Sequence, residues 1–189
     1  MAHKRIQIIP FKRKRKSITN YSKRISLLLS KKKRMVVRKS LKNIIIQFCD
    51  YDPKGDKIIL TVNSAELKKT GWNYQTDSIP AAYLTGLMAG KRALKAGIKE
   101  AVLDIGLYPS NKGSKLYAAL KGSIDTGLKI PCNDKMFPSE DRINGGHIKK
   151  YAENVQATDL QFSEYRKKNI KPENITNVFD EVKKKIMST

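Results

Sequence analysis

The sequence of 189 residues points to an α/β fold, with a mixed sheet built in the order β-β-β-α-β-α, a basic N-terminal arm and a C-terminal helical extension. Short β-branched runs separated by turn residues fill the chain up to Asn63, and helical spacing of apolar residues takes over after Pro80. That change of period, from two to about 3.6, is the signature of strands giving way to helices. The charge is equally uneven. The first acidic residue is Asp50, yet sixteen Lys and Arg precede it within the first 42 positions. The remaining 147 residues carry 23 basic and 17 acidic side chains, so most of the +22 formal charge belongs to the arm and its sequel. Such a block repels itself and calls for a polyanion.

Residues 1–20 read as the arm. Lys12, Arg13, Lys14, Arg15 and Lys16 form a run that cannot enter a core. From Tyr21 to Lys32, Ile25, Leu28 and Leu29 recur at i, i+3, i+4, with Lys23, Arg24, Lys31 and Lys32 elsewhere on the surface. This spacing predicts an amphipathic helix with its apolar stripe on a core and its cations toward phosphates. Met35-Val36-Val37 is the first strand. Asn43 to Tyr51 is the second and Lys57 to Asn63 the third, joined by Asp52-Pro53-Lys54-Gly55-Asp56. Short turns between apolar strands predict an antiparallel meander.

Pro80 opens a helix that stops at Gly97, with Asp77 and Ser78 as cap candidates. Gly86 and Gly90 fall on one face of it. Gly costs a helix interior about 1 kcal/mol relative to Ala, so something must approach closely there, a packed sheet in preference to an RNA backbone. Ala101 to Leu107 lacks polar residues except Asp104, as a buried central or parallel strand should. A helix between the third and fourth strands makes those two parallel. Ser114 to Thr126 is the second core helix, with Leu116, Leu120 and Ile124 as its stripe and Gly127 closing it. Residues 21–131 therefore form the core domain and 132–189 a loop-rich extension. The extension holds a short helix after Ser139 and a final helix opened by Pro172. In that helix Ile175, Val178, Phe179, Val182 and Ile186 form a stripe for the body or a partner.

Catalysis finds little footing. The element order resembles the ribonuclease H-like layout, whose two-metal chemistry needs carboxylates converging on ions about 4 Å apart. The carboxylates on offer are Asp104 in the fourth strand and Asp50, Asp52 and Asp56 around a hairpin. A metal-dependent nuclease is thus the alternative reading, and a DNA-compacting basic protein is a third. No phosphate-loop, zinc-protease or Ser-His-Asp pattern occurs. Cys49 and Cys132 read as reduced, half-buried thiols, and His3 and His147 do not make a metal set, so no metal or cofactor is expected. The longest mostly apolar stretch, Ile79 to Gly90, falls short of the roughly 20 residues that cross a membrane. The first residues, MAHKRIQIIPF, lack the apolar segment of a secretory signal, so a cytoplasmic protein is expected. For RNA, Tyr21, Trp72, Tyr74 and Tyr108 could stack on unpaired bases.

Four long strings are more specific than any of these patterns: RMVVRKSLKNIIIQFCDYDPKGDKI, GWNYQTDSIPAAYLTGLMAGKRALKAGI, AVLDIGLYPSNKGSKLYAALKGSIDTGLKIPCND and FPSEDRINGGHI. They resemble the large-subunit ribosomal protein family numbered eighteen in its archaeal form, related to the eukaryotic carrier of 5S rRNA, over most of residues 10–151. The resemblance implies a non-catalytic ribosomal protein of the translational-machinery fold. It would bind 5S rRNA and anchor it to 23S rRNA in the central protuberance, beside the family-five protein. By the same resemblance, RNA contact falls to Lys12 to Lys16, Tyr21, Lys23, Arg24, Lys31, Lys32, Lys33, Arg34 and Arg38. It also falls to Lys112, just before the GSKLYAALKG segment, and to Lys115 and Lys121 within it.

Overall fold

In the computed structural model, residues 9–154 and 161–188 are described. The first eight positions of the expected arm, His3 included, lie outside the described residues, as do residues 155–160 and Thr189. Strands β1 (Arg34–Lys39), β2 (Ile44–Asp50) and β3 (Lys57–Asn63) form the expected antiparallel meander. Strand β4 (Val102–Asp104) joins β1 in parallel, giving a mixed sheet ordered β3-β2-β1-β4. Strands β3 and β4 run in the same direction but occupy opposite edges. The apolar run predicted a longer fourth strand. It ends at Asp104, whose Oδ1 accepts the Gly106 N–H at 2.8 Å as Gly106 turns with φ +61°.

Alternation along the strands sends Met35, Val37, Ile44, Ile46, Phe48 and Val62 into the core. It leaves Arg34, Val36, Arg38 and Gln47 on the other face. The core face is covered by α3 (Ile79–Lys95) and α4 (Lys115–Asp125). Ser78 caps α3, accepting the Ala81 N–H, while Asp77 is drawn instead to Lys115 at 2.7 Å.

Gly86 and Gly90 meet helix α4 and not the expected sheet. A Cβ on Gly86 would lie 2.0 Å from the Ala119 carbonyl oxygen, and one on Gly90 would lie 2.2 Å from Thr126 Oγ1. The relation is mutual, since a Cβ on Gly122 of α4 would lie 2.2 Å from the Tyr83 carbonyl oxygen. The two backbones therefore interlock, and Ser123 Oγ donates across to the Gly86 carbonyl at 2.9 Å. Alanine at Gly86 or Gly122 should destabilise the fold by about 1–3 kcal/mol through overpacking, although alanine is the better helix former. Urea denaturation of each variant checks this; an unchanged midpoint would show that the helices can part without cost.

The extension is more helical than its sequence announces. It contains α5 (Glu140–Ile143), α6 (Gly146–Asn154), α7 (Ser163–Lys167) and α8 (Ile175–Ser188). Only α5 and α8 are predicted. Helix α6 fully buries just Gly146, and Ile148, Tyr151 and Ala152 make only a short stripe. Helix α8 docks on the body through Ile175, Phe179, Val182 and Ile186, all buried, with the Phe179 ring 5.7 Å from Tyr83 on α3. Cys49 and Cys132 are free thiols, the first buried and the second half-buried. No described helix is long and apolar enough to cross a membrane.

Candidate nucleic-acid interface

The basic segment folds back on itself. Residues Lys12–Arg15 make one helical turn, α1, and Ser17 reverses the chain with φ 51°. Phe11 then meets Tyr21 with ring centroids 5.2 Å apart, and Arg13 Nε donates to Thr19 Oγ1 at 2.9 Å. Every residue from Lys12 to Lys16 is exposed. Helix α2 (Tyr21–Leu29) follows, capped by Asn20, whose side chain accepts the Lys23 N–H at 3.1 Å.

The orientation of α2 departs from its apolar spacing. Ile25 is 58% exposed and Leu29 76%, whereas Arg24, Leu27 and Leu28 are half-buried. The cause is a charge pair. Arg24 donates to both oxygens of Asp56, at 2.9 and 2.7 Å, and this bidentate contact fixes which side of the helix faces the sheet. Asp56 also ion-pairs with Arg34 at 2.5 Å, and Arg34 pairs with Asp104 at 2.9 Å. The result is a row, Arg24–Asp56–Arg34–Asp104, running from α2 through β1 to β4. Burial alone would raise the Asp56 carboxyl, but the hydrogen bonds from Arg24 and Arg34 outweigh it and hold its pKa below the ordinary value. The bond to Asp56 likewise raises the Arg24 guanidinium.

This row engages two of the expected RNA contacts, Arg24 and Arg34, with carboxylates. Arg34 is 2% exposed and serves the fold. Arg24 is committed to Asp56, so its charge is already matched. The nuclease carboxylates are also taken up: Asp56 and Asp104 flank a guanidinium, the opposite of a cation site. Asp50 and Asp52 accept the backbone N–H groups of Tyr51 and Lys54 in the hairpin. Among the described residues no three His, Cys, Asp or Glu side chains come together as metal ligands.

The remaining predicted residues divide in the same way. Lys32 pairs with Glu100 at 2.5 Å, Lys115 with Asp77 at 2.7 Å and Lys121 with Asp125 at 2.9 Å. Lys121 also lies 5.5 Å over the Phe137 ring. Lys115 and Lys121 belong to α4, on the sheet face opposite α2, so the structure does not bring them together with the arm. Lys12 to Lys16, Lys23, Lys31, Lys33, Arg38 and Lys112 have no carboxylate partner among the described residues. Of the aromatic residues, Trp72 is fully buried. Tyr74 is buried too, with its hydroxyl donating to the Lys171 carbonyl at 2.7 Å, so neither can stack on a base. Tyr21 and Tyr108 are half-exposed; Tyr108 donates to the Lys39 carbonyl at 2.8 Å with Lys39 Nζ 5.3 Å over its ring.

Helix α2, the return from Arg13 to Asn20 and the open sheet face enclose a cleft of about 670 Å³. Arg38 and Gln47 line it, the second unsuspected from sequence because a strand residue's face is set by register. Lys39 and Lys42 flank the tip of the β1–β2 hairpin, where Leu41 is 92% exposed. They lie inside the acid-free block but are not among the contacts expected from the sequence.

The model of the family described as "Ribosomal large subunit proteins 60S L5, and 50S L18" matches residues 4–102 and 96–133. The chain is 44% identical to "Large ribosomal subunit protein uL18" of Methanococcus maripaludis over 184 residues, covering 95% of each chain. It is 45% identical to the protein of the same name in Korarchaeum cryptofilum over 181 residues, covering 94% of this chain and 93% of that one.

Proposed function

The chain belongs to the uL18 family of large ribosomal subunit proteins, and from that premise we propose that it binds 5S rRNA and anchors it to 23S rRNA in the central protuberance. It is a structural constituent of the large subunit and works in translation. The observation that carries the RNA reading is the sorting of charge. Arg24 and Arg34 are matched by Asp56 and Asp104, while Lys12 to Lys16, Lys23 and the half-buried Arg38 have no carboxylate partner among the described residues. Unmatched cations along one stretch of surface release counterions when they meet a phosphate backbone. Neighbouring large-subunit proteins, the family-five protein among them, would complete the surroundings.

The test is binding of pure protein to labelled 5S rRNA, followed by mobility shift and footprinting. A compact footprint on intact RNA is expected. Deleting residues 1–20 should weaken binding by roughly 10- to 100-fold through lost phosphate contacts, with the circular dichroism of the body retained. Equal affinity for duplex DNA would favour a DNA-compacting protein. Magnesium-dependent cleavage, lost in Asp104→Ala, would favour a nuclease. Either outcome overturns the reading.

A further inference from the structure

Resting on the RNA-binding reading, we propose that the cleft between α2 and the open sheet face takes one unpaired nucleotide, with its base inside and its phosphate at the mouth. The cations around the cleft are of two kinds. Two of its guanidiniums, Arg24 and Arg34, are matched by Asp56 and Asp104. Its other cations, Arg13, Lys23 and Arg38, have no carboxylate partner among the described residues. Arg38 gives Nη1 only to the carbonyls of Val37 and Asp104, at 3.2 and 3.5 Å, and Arg13 gives Nε to a threonine hydroxyl. An anion beside these three therefore meets positive charge that no described carboxylate pairs with.

Much of the remaining lining is aliphatic, with Leu27, Val36, Ile58, Leu103 and Leu107. Such a surface suits the faces of a base and offers a bare phosphate nothing. Gln47 supplies a polar point on this lining. Its Nε2 donates to Thr61 Oγ1 at 3.2 Å, which leaves its carbonyl oxygen and a second N–H for a base edge. An amide presents donor and acceptor together, the pattern that reads a base. The volume of about 670 Å³ lies in the range of sites that enclose a small molecule. Base edges become available to such a pocket in single-stranded loops and bulges, where bases splay out.

The site is also preformed. Asp56 ties Arg24 on α2 to Arg34 on β1, so the helix that makes one wall is fastened to the sheet that makes the floor. A pocket built in advance spares the ordering cost of closing around its ligand.

The experiment uses the full chain labelled with ¹⁵N and titrated separately with AMP, GMP, CMP, UMP and inorganic phosphate. At least one nucleotide should give saturable shifts at the backbone amides of Val36, Gln47 and Leu103. Inorganic phosphate should move only signals at the mouth, near Arg13, Lys23 and Arg38. Gln47→Ala should weaken the preferred nucleotide by about fivefold or more, the loss of one base-reading contact, with an unchanged melting temperature. Arg38→Gln should weaken all nucleotides alike. If every nucleotide reproduces the response to inorganic phosphate, or if Gln47→Ala changes no affinity, the base pocket is wrong. Binding of 5S rRNA is measured separately, so it can survive that result, and its own failure would leave a nucleotide response intact.

Discussion

Affinity for 5S rRNA is expected to fall about 10³–10⁵-fold as monovalent salt rises from about 50 to 200 mM, the response of a protein that neutralises about 6–10 phosphates. The side chains expected to account for it are the cations without an acidic partner. Lys12 to Lys16, Lys23, Lys31, Lys33, Arg38 and Lys112 are free of carboxylates among the described residues, and a set of this size supplies that number of contacts. Lys121 already has Asp125 at 2.9 Å, and Lys115 has Asp77 at 2.7 Å. Replacing Lys14 by Gln should therefore reduce the slope of log K against log salt by about 0.7–0.9. Lys121→Gln should leave it nearly unchanged. Equal effects of the two substitutions would show that sorting by ion pair does not predict phosphate contact, and a flat salt response would sink the electrostatic mechanism altogether.

Asp104→Ala is expected to destabilise the fold by about 3–5 kcal/mol, because it strips a buried guanidinium of a partner. Arg34 and Asp104 are both buried, and Asp56 must already serve Arg24. The substitution also removes the acceptor for the Gly106 N–H that ends β4. A second variant separates charge from hydrogen bonding. Asp104→Asn keeps an acceptor for Gly106 and loses the charge, so it should retain part of the stability. Urea denaturation measures both, and a loss below about 1 kcal/mol for Asp104→Ala would mean that Arg34 finds solvent when unpaired. The same row sets an acid limit. The pKa of Asp56 in the folded protein lies below its ordinary value of 3.8. Its contribution is therefore fully present above 3.8 and is lost as pH falls through the lower, folded value. Between pH 5 and 8 stability should not respond to this carboxylate, a plateau that a pH series of denaturation midpoints would show.

Much of this fold is legible in the sequence where local chemistry decides the outcome. The turn around Asp52 to Asp56, the cap at Ser78 and the stripe from Ile175 to Ile186 each announce an element that forms. Elements whose placement depends on distant partners are not legible. Helix α2 is visible at its spacing, yet its rotation is fixed by Asp56, 32 residues beyond Arg24. Arg34 looks like one more member of a basic block until Asp104, 70 residues away, claims it. The paired glycines announce a close approach without naming α4 as the neighbour, because a helix shows its small face but not what fills it. For the candidate interface, charge composition points to the arm and misses Gln47, whose place in the cleft depends on which way β2 faces.

The match to the family model ends at residue 133, but the hydrophobic core does not. Helix α8 lays Phe179 against Tyr83, and Lys183 sits 5.6 Å over the same ring. Tyr74, near the start of α3, reaches Lys171 through its hydroxyl. The extension is therefore a wall of the house and not a porch. Any shortened relative that dispensed with α8 would have to rewrite the outer side of α3 in polar residues, so the lengths of such chains and the character of their first core helix should vary together.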